Sequence, residues 1–149
     1  MTATVHILNG PNLNLLGVRE PHLYGHTTLA QVQDRCLALS AELGLRCAFR
    51  QSNHEGVLVD WVQEARAEGA AVIINPAGLS FRSIPLLDAL KMLEQPVIEV
   101  HLTNIHRREA PYRDSLTSLA STGVICGLGP LGYELALHAV AQRLRETTT

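Results

Sequence analysis

Glu99 and His101 stand two residues apart in the segment Ile98-Glu99-Val100-His101-Leu102-Thr103-Asn104-Ile105-His106. The segment begins apolar, as a strand does, and ends polar. Side chains alternate faces along a strand, so the carboxylate and the imidazole point the same way. A carboxylate so placed fixes the imidazole tautomer and raises its pKa, which makes a proton donor usable near neutral pH. The plain alternative is a strand end carrying two solvated polar residues. Polar residues at the ends of other strands weigh against it.

A second candidate group is Tyr24, in Val18-Arg19-Glu20-Pro21-His22-Leu23-Tyr24-Gly25. A free tyrosine has a pKa of about 10 and becomes a useful base only where cations stabilise the phenolate. Arg19, with Arg108 or Arg113 from a later loop, could supply that field. The alternative is a half-buried loop anchor, a common use of tyrosine.

These residues need elements to position them. Apolar strand-like runs recur at Val5-His6-Ile7-Leu8, Arg46-Cys47-Ala48-Phe49, Ala71-Val72-Ile73-Ile74, Val97-Ile98-Glu99-Val100 and Gly123-Val124-Ile125-Cys126. Helical spacing joins Leu29, Val32, Cys36, Leu39 and Leu43. Thr28 with Gln31 forms a capping box at the start of that helix, and Gly44 suits its end. Ser52 with Glu55 predicts a second box, on a helix that stops near Gly69. A third helix begins near Ser83, tolerates Pro85 in its first turn and ends before Pro96. The last runs from about Leu131 to Arg145, and Thr147-Thr148-Thr149 are expected to fray. Nearly all-apolar central strands imply helices on both faces. The alternation predicts an α/β fold with an open, doubly wound, five-stranded parallel sheet, in a single domain over 1–149.

Ligands in such a sheet bind beyond the C-terminal strand ends. Those ends read Asn9-Gly10-Pro11-Asn12, Gln51-Ser52-Asn53-His54, Asn75-Pro76-Ala77-Gly78, His101-Leu102-Thr103-Asn104 and Gly127. Any one of these sets is ordinary turn chemistry. Four together, rich in neutral donors and acceptors, suit a polyhydroxylated small molecule. Two connections are long, Asn9 to Thr27 and Leu102 to Ser121, as lids and binding loops are. The second is expected to include a short helix.

The chain has 149 residues, 46% of them hydrophobic and 17% charged, with a formal net charge of -2. That balance suits a globular enzyme and gives no strong pull toward nucleic acid or acidic membranes. Of its 12 basic residues only Lys91 is a lysine. Cys36, Cys47 and Cys126 are widely spaced in apolar surroundings and read as reduced core residues. With no signal-peptide pattern and no run long enough to cross a bilayer, a cytoplasmic protein is expected.

Other motifs carry less. Gly127-Leu128-Gly129-Pro130-Leu131-Gly132 matches a dinucleotide fingerprint, but no later strand exists to carry the acidic ribose partner. Its glycines are read as a tight turn and close helix–sheet packing. His101 and His106, five apart, do not resemble a helical metal pair, so no metal and no cofactor are expected. His138 reads as structural. Ser80 and Ser83 lack a nucleophile elbow.

Several motifs in order resemble one family, the type II dehydroquinases. They are Leu8-Asn9-Gly10-Pro11-Asn12-Leu13-Asn14, Gly17-Val18-Arg19-Glu20-Pro21, Tyr24-Gly25 and Gln51-Ser52-Asn53-His54-Glu55-Gly56. Asn75-Pro76, Glu99-Val100-His101-Leu102, Asn104-Ile105-His106, Gly127-Leu128-Gly129 and Gly132-Tyr133 continue the match. The resemblance implies a flavodoxin-like fold and a lyase that removes water from 3-dehydroquinate by anti elimination, giving 3-dehydroshikimate without cofactor or metal. The same dehydration serves aromatic amino-acid synthesis by the shikimate pathway and quinate breakdown. It further implies Tyr24 as base at C2, with Arg19 lowering its pKa from a mobile lid. An enolate stabilised with help from Asn12, and His101, oriented by Glu99, as acid for the C1 hydroxyl, complete the scheme. The substrate carboxylate would rest on the N–H groups of Leu102 and Thr103, and Asn75 would bind a ring hydroxyl. Asp88 would reach into a neighbouring subunit's site, in a homo-oligomer expected to be a dodecamer of four trimers.

The chain departs from that family at two places. Phe81 stands where a histidine contacts substrate hydroxyls, and phenylalanine cannot make those bonds. Such a loss in a buried site costs on the order of 1–3 kcal/mol. In Arg107-Arg108-Glu109-Ala110-Pro111-Tyr112-Arg113 the substrate arginine is shifted by one residue, so Arg113 takes that role or the contact is lost. Leu87 also replaces a residue that is commonly basic. Reduced efficiency or a shifted substrate preference is therefore expected. The alternatives are a paralogue acting on a related cyclic hydroxy acid and a non-catalytic oligomeric binding protein.

Overall fold

The computed structural model describes residues 2–147. Five strands, β1 (Thr4–Asn9), β2 (Arg46–Gln51), β3 (Ala71–Asn75), β4 (Val97–His101) and β5 (Gly123–Cys126), form one parallel sheet in the order β2-β1-β3-β4-β5. The helices are α1 (Pro21–Tyr24), α2 (Leu29–Glu42), α3 (Glu55–Glu68), α4 (Ile84–Lys91) and α5 (Leu131–Thr147). This is the flavodoxin-like doubly wound arrangement, with its crevice where the strand order reverses between β1 and β3.

Strand alternation builds two apolar layers. Val5, Ile7, Ile73, Ile98 and Val100 pack with Val32 and Cys36 of α2 and with Leu137 and Val140 of α5. Leu8, Val72, Ile74 and Val97 face the other way, onto Leu58 and Val62 of α3 and Leu86 and Leu90 of α4. β1 pairs with β3 from Val5↔Ala71 to Asn9↔Asn75, which brings Asn9 level with Asn75 at their C-terminal ends.

The Thr28–Gln31 capping box is present in both directions, and Gly44 takes a φ of 73° just beyond α2. The Ser52–Glu55 box is not formed. His54 is the N-cap of α3, and Ser52 Oγ accepts from the His54 N–H at 3.0 Å. Glu55 is drawn away by the N-terminus of α4, where Ser83 Oγ donates to its carboxylate at 2.5 Å and accepts from the Leu86 N–H. A carboxylate beside that helix start is also favoured by the helix dipole. Thr147 closes α5, and the rest of the tail expected to fray, Thr148 and Thr149, lies outside the described residues. The cysteine reading needs one correction. All three are free, but only Cys36 is buried, because Cys47 lies on an edge strand and Cys126 at a strand end.

The two long connections are folded, not open. The first carries a 3₁₀ turn at Leu13–Leu15 and then α1. The second carries 3₁₀ turns at Ile105–Arg107 and Thr117–Ala120 in place of one helix. Among the described residues no helix is long and apolar enough to cross a membrane.

Candidate active site

Glu99 and His101 alternate onto the same face of β4, and both are buried, Glu99 completely. The plain alternative for such a pair, two solvated groups, is thereby excluded. His101 Nε2 meets Glu99 Oε2 at 2.8 Å. Ser115 and Ser118 donate to the same oxygen at 2.8 and 2.6 Å, and Thr117 donates to the other. Burial alone would raise the Glu99 carboxyl pKa. Hydrogen bonds from His101, Ser118 and Thr117, with the His101 charge, outweigh it and hold the group below the usual carboxylate range. With Nε2 turned to Glu99, His101 has Nδ1 left for the cavity that it lines.

That cavity has a volume of about 280 Å³ and lies over the C-terminal ends of β1, β3 and β4. From β1 comes Asn12, in the left-handed region at φ 71°, its N–H held by Asn53 Oδ1 at 2.9 Å. Asparagine tolerates that conformation better than most residues. From β3 comes Asn75. Its Oδ1 accepts from the Ala77 N–H at 3.1 Å, and its Nδ2 donates to the Tyr133 hydroxyl at 3.0 Å. The Tyr133 hydroxyl donates in turn to Asn9 Oδ1 at 2.7 Å. Burial pushes the Tyr133 phenol pKa up, so it stays protonated. One Asn75 N–H is therefore left to point at a ligand. From β4 come Leu102 and Thr103.

Tyr24 closes the cavity from α1. Arg108 Nη1 donates to its hydroxyl at 3.3 Å, and the Arg19 guanidinium lies 5.3 Å from its ring centroid. Both arginines line the cavity. Arg113 and Asp88 do not; each is exposed. Phe81 lines the wall between His101 and Tyr112. The glycine-rich turn after β5 stands apart. Gly127 and Gly129 take positive φ, and a Cβ on Gly132 would lie 3.2 Å from Val100 Cγ1. Among the described residues no group of three His, Cys, Asp or Glu side chains could hold a metal ion.

The family model for class II dehydroquinase matches residues 3–141. The chain belongs to the class II dehydroquinase family. A relative from Caulobacter sp. (strain K31), named 3-dehydroquinate dehydratase, is 57% identical over 141 residues, which is 95% of this chain and 96% of its own. A Pseudomonas aeruginosa protein named 3-dehydroquinate dehydratase 2 is 52% identical over 96% of this chain and 97% of its own. The type II dehydroquinase structure from Propionibacterium acnes superposes with a TM-score of 0.92 at 43% identity, covering 95% of this chain and 98% of that one.

Within this dehydroquinase, sequence reasoning missed three supports of the site. The Ser115–Ser118 hydroxyl cage is one; its signal was a run of hydroxyl residues in a loop that a buried carboxylate must satisfy. The Asn9–Tyr133–Asn75 network is the second, and it joins residues 124 apart in the chain at one step. The third is the Tyr112 ring, which lies 4.5 Å from the Arg108 guanidinium.

Proposed function

We propose that the chain is a 3-dehydroquinate dehydratase working as a single catalytic domain, with Tyr24 as base and His101 as acid. Tyr24, as phenolate, takes a proton from C2. Arg108 and Arg19 set positive charge where the phenolate forms. The electron pair moves onto the C3 carbonyl oxygen, and the enolate is stabilised by a water held at Asn12. The enolate then collapses to form the C1–C2 double bond. The C1–oxygen bond breaks, and His101 Nδ1 delivers the proton that makes the leaving group water. Glu99, held ionised, stabilises the imidazolium that must give that proton. Leu102 and Thr103 N–H groups receive the substrate carboxylate, and the remaining Asn75 N–H donates to a ring hydroxyl.

The observation that carries this reading is that Tyr24 and His101 open onto one cavity, from a lid turn and from a strand end. Base and acid on opposite sides of one ring suit an anti elimination. The phenylalanine at 81 favours one second reading, a paralogue that takes a related cyclic hydroxy acid.

Enone absorbance with purified protein and 3-dehydroquinate tests both. Turnover that is lost on Tyr24→Phe and on His101→Ala is the expected result. Binding without turnover makes the chain a binding protein instead, and turnover of another cyclic hydroxy acid alone makes it the paralogue.

The chain acts in the cytoplasm in this reading, where its three free cysteines stay reduced. It assembles as a homo-oligomer, a dodecamer of four trimers. Asp88 is exposed one turn from Ile84, which is 59% exposed on the same face of α4, and that mixed face suits contact with another copy.

A further inference from the structure

Around the mouth of the cavity, rings and guanidinium groups form one continuous series of contacts, of which Phe81 and Tyr112 have no part in the chemical steps above. Phe81 ends the 3₁₀ turn after β3, with its ring centroid 6.2 Å from that of His101 and 6.0 Å from that of Tyr112. The Phe81–Tyr112 contact is edge to face, at 86°. Arg108 lies 4.5 Å from the Tyr112 centroid and 6.0 Å from the Tyr24 centroid, with Nη1 on the Tyr24 hydroxyl. Three separate segments of chain meet in this series: the turn after β3, the loop after β4, and α1.

We propose that Tyr112 is a positioning residue whose ring seats Arg108 against the Tyr24 oxygen, with Phe81 bracing that ring. The proposal rests on Tyr24 being the base. A long arginine side chain on a loop samples many rotamers, and holding one of them costs entropy. An aromatic face narrows that choice, because the ring quadrupole attracts the guanidinium. Phe81 narrows the choice for Tyr112 in turn, since edge-to-face packing fixes the relative planes of two rings. Tyr112 is 39% exposed, so its ring is otherwise free to turn into solvent.

The charged groups around Tyr24 show why this seat matters. Arg19 faces the ring but is paired with Glu20 at 3.2 Å, which offsets part of its field. His101 lies across the cavity and is paired with Glu99. Arg108 is the cation whose N–H is directed at the phenol oxygen itself. Its hold on the phenolate is therefore the most sensitive to a loss of seating.

The kcat/KM profile against pH, measured for wild type, Tyr112→Leu, Tyr112→Phe and Tyr24→Phe, tests the seat. Tyr112→Leu is expected to move the acid-side midpoint up by about half a pH unit, an effect of about threefold in kcat/KM on that limb. Tyr112→Phe keeps the π face and is expected to hold the midpoint near wild type. A general packing lesion would lower the whole curve and leave the midpoint in place. An unmoved midpoint in Tyr112→Leu, with Tyr24→Phe inactive, overturns the seat while leaving the base intact. An equal shift in Tyr112→Phe also overturns it. Full activity in Tyr24→Phe, or no turnover by wild type, overturns the base and the seat with it.

Discussion

Glu99 is a fully buried carboxylate with four donors around it, so its charge bears on folding as well as on chemistry. Its folded pKa lies below the ordinary value, so the unfolded chain binds the proton more readily. The resulting stability is present above the ordinary carboxylate range and is lost as pH falls through the folded value. Glu99→Gln removes this dependence. Urea midpoints measured across acidic pH should fall more steeply for wild type than for the variant. At neutral pH the variant should be less stable by on the order of 1–3 kcal/mol, since a donor amide now faces other donors. Its kcat should drop roughly tenfold to hundredfold through the loss of the charge opposite His101. Equal slopes in acid would contradict the ionised state assigned to Glu99. The pairing itself was legible in the sequence, because a spacing of two on a strand can only mean one face. Its hydroxyl cage was not, because Ser115, Thr117 and Ser118 arrive by a loop whose path is set by tertiary packing. The place of Arg113, outside the cavity wall, was open in the sequence for the same reason: one residue along a loop decides whether a side chain turns in or out.

Elements bring these residues within reach through close backbone approaches. The turn after β1 presses against the turn after β3, where a Cβ on Gly10 would stand 2.3 Å from the Pro76 carbonyl oxygen. Backbone atoms cannot rotate aside, so Gly10→Ala should separate the two turns. It is expected to cost about 1–3 kcal/mol by thermal or urea melting, and to raise KM by moving Asn12 away from Asn75. Gly56→Ala is the control, because nothing lies within 4 Å of a Cβ added there and the change gains helix propensity in α3. Similar losses in both variants would contradict the close approach. The glycine pattern after β5 was readable as turn and packing because nothing downstream could complete a dinucleotide site. Thr28 and Gln31 gave their capping box because both partners are local. Ser52 and Glu55 did not, because a second helix start competed for the glutamate.

The whole molecule is a sheet whose polar residues gather at one edge. Apolar strand runs alternating with helices pointed to the doubly wound architecture, since helices on both sides of an open parallel sheet bury both faces of such short apolar strands. Assembly is a different matter, because a surface pattern does not by itself name its partner. The proposed dodecamer predicts a particle about twelve times the chain mass in light scattering, and Asp88→Ala should lower kcat/KM if that residue completes a neighbour's site. A stable, fully active monomer would contradict both. The central assignment, a base on the lid and an acid on the strand, is tested most directly by C2 hydrogen exchange of 3-dehydroquinate in heavy water, followed by NMR. His101→Ala should keep exchanging the C2 hydrogen while losing dehydration, and Tyr24→Phe should lose both. Exchange that survives in Tyr24→Phe would show that another group removes the proton.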